Sequence, residues 1–143
     1  MKLNFRFLML IAILLVLPLS ACAPAVASEE EEKPVTLEPI AGTDLNRLTL
    51  TEKAAERLGL ETAPVVAQEG QVVVPYAALL YDPSGQAWVY VSVGPLAFER
   101  QEITVDFIDG NNAVLSEGPE AGANVVTLGA TELYGSEAEF EEE

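Results

Sequence analysis

Histidine is absent from the chain, cysteine and tryptophan occur once each, and Lys and Arg number 7 against 23 Asp and Glu. Without imidazole there is no Ser-His-acid or Cys-His pair to activate a nucleophile, and no histidine-ligated metal site. With one thiol there is no intramolecular disulfide, so a packed core must hold the fold even in an oxidising compartment. A formal charge of -16 repels nucleic-acid phosphates and anionic lipid headgroups, which argues against both as partners. Carboxylates, hydroxyls, a few cations and the backbone remain for any chemistry, and no catalytic constellation, cofactor motif or metal-ligand spacing is found among them. The sequence reads as a protein that is not an enzyme.

The amino end is better defined. Met1 to Arg6 carries two positive charges, and Phe7 to Leu19 is almost wholly apolar, interrupted by Pro18. That is the charged-then-apolar order of a secretory signal, and the run is shorter than the roughly 20 residues a retained span requires. Next comes Leu19-Ser20-Ala21-Cys22, which resembles the lipobox of bacterial lipoproteins. The resemblance implies that residues 1–21 are removed and that Cys22 carries a covalent lipid. It places the chain in the cell envelope, anchored on the extracytoplasmic side of a bacterial membrane, with inner or outer membrane left open. Two or more acyl chains, at about 0.8 kcal/mol per buried methylene, anchor stably where one does not. The rival reading is cleavage after Ala25-Val26-Ala27, which would release a soluble chain beginning at Ser28.

Acidic residues cluster at Glu29 to Glu32 and again at Glu137, Glu139 and Glu141 to Glu143. Such blocks can dock a cation or partner, but self-repelling solvated segments carry the same composition. The expected organisation is a signal (1–21), a lipidated cysteine and flexible tether (22–44), a β-domain (45–134) and a disordered acidic tail (135–143). The domain should be mainly β, a small antiparallel roll or barrel with one short helix.

Within the domain, Leu48-Thr49-Leu50 predicts a strand. Thr51 can cap a helix from Glu52 to Leu58 that closes at Gly59. Leu60 to Val66 and Val72 to Val74 predict further strands, the latter ending at Pro75. A hairpin is expected across Asp82-Pro83-Ser84-Gly85, leading into Ala87 to Val93. A second should pair Phe98 to Ile108 with Ala113 to Ser116 across Asp109-Gly110-Asn111-Asn112, with Ile103, Val105 and Phe107 on one buried face. Asn124 to Leu128 predicts the last strand.

The stretch Leu48 to Val65, with its Leu-Thr, Ala55, Leu58-Gly59-Leu60 and Thr62, resembles the "L-T-x-x-A-x-x-L-G-I-x-T-x-x-V" opening of membrane-fusion proteins, the periplasmic adaptors of resistance-nodulation-division efflux systems. Val74-Pro75-Tyr76-Ala77-Ala78-Leu79, Trp88 to Val91, Phe98-Glu99-Arg100, and Glu117 to Leu133 are similar to the closing part of the same proteins. The lipoyl-like domain and helical hairpin that such adaptors insert are replaced by little more than Ala67 to Gln71. What the resemblance implies is therefore a truncated, membrane-proximal or barrel-like part that contacts a transporter or another adaptor subunit.

Side chains with some chemical promise each have a simpler reading. Asp106 and Asp109, with Asn111 and Asn112, offer oxygen ligands, but Asp-Gly-Asn-Asn is first a turn. Asp82 suits a backbone-bonding turn residue. Trp88, Tyr90, Tyr76 and Tyr81 can line a groove or fill a core. Glu99 and Arg100 read as a surface pair. The leading expectation is a tethered lipoprotein acting through protein contact; the alternative is a stand-alone envelope lipoprotein that binds a small ligand or cation.

Overall fold

The computed structural model of the protein describes residues 33–141. Cys22, the expected signal and the Glu29 to Glu32 block lie outside the described residues. The architecture is mainly β, as expected, with eleven strands among the described residues arranged in two antiparallel sheets. The first five strands are β1 (Val35–Pro39), β2 (Asn46–Leu50), β3 (Glu61–Pro64), β4 (Val66–Gln68) and β5 (Gln71–Pro75). The rest are β6 (Leu80–Tyr81), β7 (Ala87–Gly94), β8 (Ala97–Glu102), β9 (Thr104–Asp109), β10 (Asn112–Glu117) and β11 (Asn124–Leu128). Helix α1 (Glu52–Leu58) follows β2, and α2 (Ala130–Glu141) follows β11.

The larger sheet has the order β1-β2-β8-β7-β11-β3, with β6 on the same edge of β7 as β11. The smaller sheet has the order β4-β5-β10-β9. The two do not close into a barrel, which decides between the two expected forms. In the larger sheet β1 and β3 each keep one edge without a strand partner among the described residues.

Side-chain alternation along the central strands builds a layered core. On β7, Trp88 and Tyr90 face one way, with Leu48, Phe98 and Val126 of the same sheet and Ala54 and Leu133 of the two helices. Ala87 and Val89 face the other way, with Val125 and with Val74, Ala113 and Leu115 of the smaller sheet. The larger sheet thus lies between the helices and the smaller sheet. Val89 and Val125 have no exposed surface, and each such valine contributes about 1.5–3 kcal/mol of burial.

Local chemistry sets the turns. Thr51 accepts a hydrogen bond from the Ala54 amide at 3.2 Å, and Gly59 ends α1 at φ 62°, the left-handed conformation that favours glycine. The link between β4 and β5 is a two-residue hairpin, Glu69-Gly70, with φ of 53° and 82° as a type I′ turn requires. At the β9–β10 turn only Gly110 has positive φ, 58°, at the first central position as in type II′.

Four features depart from the expectations. Leu60 to Val66 and Phe98 to Ile108 are not continuous strands, because the chain changes sheet at Val65 and again at Ile103. Both residues are buried, 2% and 1% exposed, and each amide bonds back to the larger sheet's side of the crossing: Val65 to the Ala123 carbonyl at 2.8 Å, Ile103 to that of Ala87 at 3.0 Å. The segment read as tether contains β1, in register with β2 from Val35↔Leu50 to Pro39↔Asn46. The segment read as acidic tail continues α2, whose Ala130, Leu133, Tyr134 and Glu137 recur at helical spacing on the packed side. Finally, Phe107 is 48% exposed instead of buried. Leu115 pairs with Val105 but Val114 with Phe107, so Asp106 bulges out and turns Phe107 to the opposite face.

Candidate functional site

The most unusual chemistry in the described residues lies where α2 meets the larger sheet. Glu137 is 1% exposed, and its Oε2 accepts a hydrogen bond from the Tyr90 hydroxyl at 2.6 Å. Tyr90 comes from the centre of β7 and is itself fully buried. The Arg100 Nε, from β8, stands 3.4 Å from the same carboxylate oxygen. Tyr90 and Arg100 are direct cross-strand neighbours, which is why one helical carboxylate reaches both. The other oxygen, Glu137 Oε1, has no hydrogen-bond partner among the described residues.

Arg100 is also held by aromatic faces. Its guanidinium carbon lies 4.6 Å from the centroid of the Trp88 ring and 5.2 Å from that of Tyr134, so the cation lies against rings from both sheet and helix. The Trp88 indole N–H donates to Asp82 Oδ2 at 3.1 Å. Asp82 Oδ1 accepts from the Ser84 hydroxyl at 2.6 Å and from the amides of Ser84 and Gln86 at 2.8 and 2.9 Å. A chain of polar contacts therefore runs from the β6–β7 turn through Trp88 and Arg100 to Glu137 and Tyr90.

The electrostatics follow from these contacts. Burial, and then the adjoining Glu137 carboxylate, push the Tyr90 phenol far above its ordinary value, so it remains a neutral donor. The Ser84 hydroxyl, followed by the Gln86 amide and the Trp88 indole, hold Asp82 at about 2 against an opposing desolvation effect. Neither group is poised for proton transfer near neutrality, where an acid or base works best. Arg100 and Glu137 form an ion pair in which Arg100 Nε and Glu137 Oε1 make no hydrogen bond among the described residues, and their geometry ties α2 to the sheet.

The structure sorts the sequence candidates. Asp82 is the backbone-bonding turn residue expected. Asp109 faces Asn112 across the β9–β10 turn, and Asp106 sits in the bulge. Tyr90 is core and Trp88 partly buried, whereas Tyr76 and Tyr81 are 52% and 53% exposed, so the four aromatics do not line one groove. Glu99 and Arg100 do not pair with each other. Glu99 binds Arg47 of β2 directly opposite, 2.6 Å from Nη2, while Arg100 points to the helix side. Adjacent residues on a strand face opposite ways, which forbids the expected pair. Glu137 went unrecognised because it belongs to an acidic run, although its spacing from Ala130, Leu133 and Tyr134 was the available signal.

Among the described residues no group of three or more acidic, cysteine or histidine side chains is placed to hold a metal ion, and no helix is long and apolar enough to cross a membrane. Comparison with protein-family models, curated proteins and solved structures gives no match.

Proposed function

We propose that this protein is a lipid-tethered extracytoplasmic lipoprotein that does no chemistry of its own and works by protein contact, as an adaptor-like accessory to a membrane transporter. The observation that carries the reading is the fate of the ionisable groups. The one buried charged residue among those described, Glu137, is engaged by Tyr90 and Arg100 across the α2–sheet junction, a use of its carboxylate that supports a structural role. The lipobox-like Leu19-Ser20-Ala21-Cys22 supports the tether, and the ordered resemblance from Leu48 to Leu133 supports the adaptor-like role.

The test is to label the host with an alkyne fatty acid and to purify the protein from cross-linked membranes. Wild type should carry label and bring down a transporter or an adaptor subunit; Cys22→Ser should carry none and lose the partner. Label without any enriched transporter or adaptor, together with a thermal shift on adding a small ligand or cation, would replace this reading with the stand-alone binding lipoprotein.

A further inference from the structure

The smaller sheet packs its inner face on the larger one, and its outer face carries apolar side chains that belong to neither core cluster. Strand register places Val66, Val73, Val114 and Phe107 side by side on that face, one from each strand. Val73 and Val114, in the middle, are 6% exposed, while Val66 and Phe107 at the ends are 45% and 48% exposed. An apolar row across four strands on the face turned away from the larger sheet, exposed at its two ends, breaks the inside-out alternation that a sheet with one buried face normally shows. It arises because the bulge at Asp106 re-aims Phe107; bulges of this kind redirect side chains where a surface is used.

The surroundings of the row select the occupant. The pair Gln68↔Gln71 borders it on one side, and Pro75↔Asn112↔Asp109 on the other. No Lys or Arg occurs in any of the four strands or their two hairpin turns, whereas Glu69, Asp106, Asp109 and Glu117 are all exposed there. A second copy would bring the same acidic rim against this one, and an anionic membrane would be repelled. The edges are poor templates for an added strand, since β4 has only three residues and β9 is bulged. The geometry points to this outer face as a docking surface for a protein that presents apolar side chains flanked by Lys or Arg. The inference rests on the protein-contact reading above and names the face and chemistry of that contact.

The test uses the full-length protein in host membranes with a benzophenone amino acid at position 66 or 107, and on the helix side at position 56 or 131. Positions 66 and 107 should capture the same protein, positions 56 and 131 should not, and the captured segment should carry Lys or Arg beside apolar residues. Asp109→Lys, at an exposed site, should lower the yield about fivefold at physiological salt, as expected for loss and reversal of one rim charge. Capture of a second copy, of lipid, of this chain's own residues 23–32, or of a segment without basic residues overturns the inference, as does an unchanged yield in the charge variant. Cross-links from 56 and 131 alone remove this face but leave the contact function standing; none from all four positions removes both.

Discussion

Replacing Tyr90 with Phe deletes a single oxygen from the interior, and the structure sets what that deletion should cost. The hydroxyl donates at 2.6 Å to a carboxylate that is 1% exposed, so water cannot take its place without opening the α2–sheet junction. A hydrogen bond to a charged group contributes about 1.5–3 kcal/mol, and stranding a buried acceptor adds to the loss. Because Arg100 stays 3.4 Å from the same oxygen, the carboxylate keeps partial compensation, and the expected destabilisation is about 2–3 kcal/mol. For a domain of this size that lowers Tm by about 10 °C. Urea unfolding followed by Trp88, the sole tryptophan, reads the change from inside the same contact chain. Glu137→Gln preserves an acceptor for the phenol but leaves Arg100 without its counter-charge, so it too should destabilise, and the double variant should show a coupling of at least about 1 kcal/mol. A Tyr90→Phe protein within about 0.5 kcal/mol of wild type would refute the reasoning, because that is the range of an unremarkable surface substitution.

Three further outcomes follow from the same contacts. The Tyr90 phenol is raised in the folded state, so above about pH 10 the unfolded chain loses a proton that the folded one keeps; stability should fall by about 1.4 kcal/mol per pH unit from this group, and Tyr90→Phe should remove that slope in alkaline urea titrations. Asp82 is lowered to about 2, so its contribution is present above about pH 4 and is lost as pH falls towards 2; Asp82→Ala should abolish that part of the acid-induced loss and shift Trp88 emission, and an unchanged acid profile would count against the turn network. Gly129 has φ 90°, and a Cβ there would collide with the Leu60 side chain, so Gly129→Ala should destabilise by about 1–3 kcal/mol in thermal melts; a neutral result would show that the start of α2 can relax.

Local signals were legible wherever the chain's chemistry acts within a few residues. Thr51 and Gly59 bracket α1 as their side chain and flexibility dictate, and Asn124 to Leu128 forms the strand that its β-branched run predicts. Asp82-Pro83-Ser84-Gly85 likewise makes the expected turn. The sheet switches at Val65 and Ile103 were not legible, because a buried β-branched residue continues a strand pattern whether or not the backbone bends there. Phe107 shows the same limit: period-2 alternation assigned it to the core, and only the pairing partner Val114 reveals the bulge. The site was hidden for another reason. Glu137 is one acid among several in sequence, and its distinction comes from Tyr90, 47 residues away. β1 carried a signal in Val35 and Leu37, masked by the Pro and Glu around it.

β11 is the last strand among the described residues, yet it lies inside the larger sheet, joining β3 to β7, and its Val125 and Val126 enter opposite cores. A chain that emerges amino end first, from a ribosome or through a narrow pore, therefore cannot finish either core until Asn124 to Leu128 has passed. Up to that moment β3 has no strand to pair with among the described residues. The order of strands makes β11 a late requirement for folding, so that a truncation before Asn124 should leave an unfolded chain.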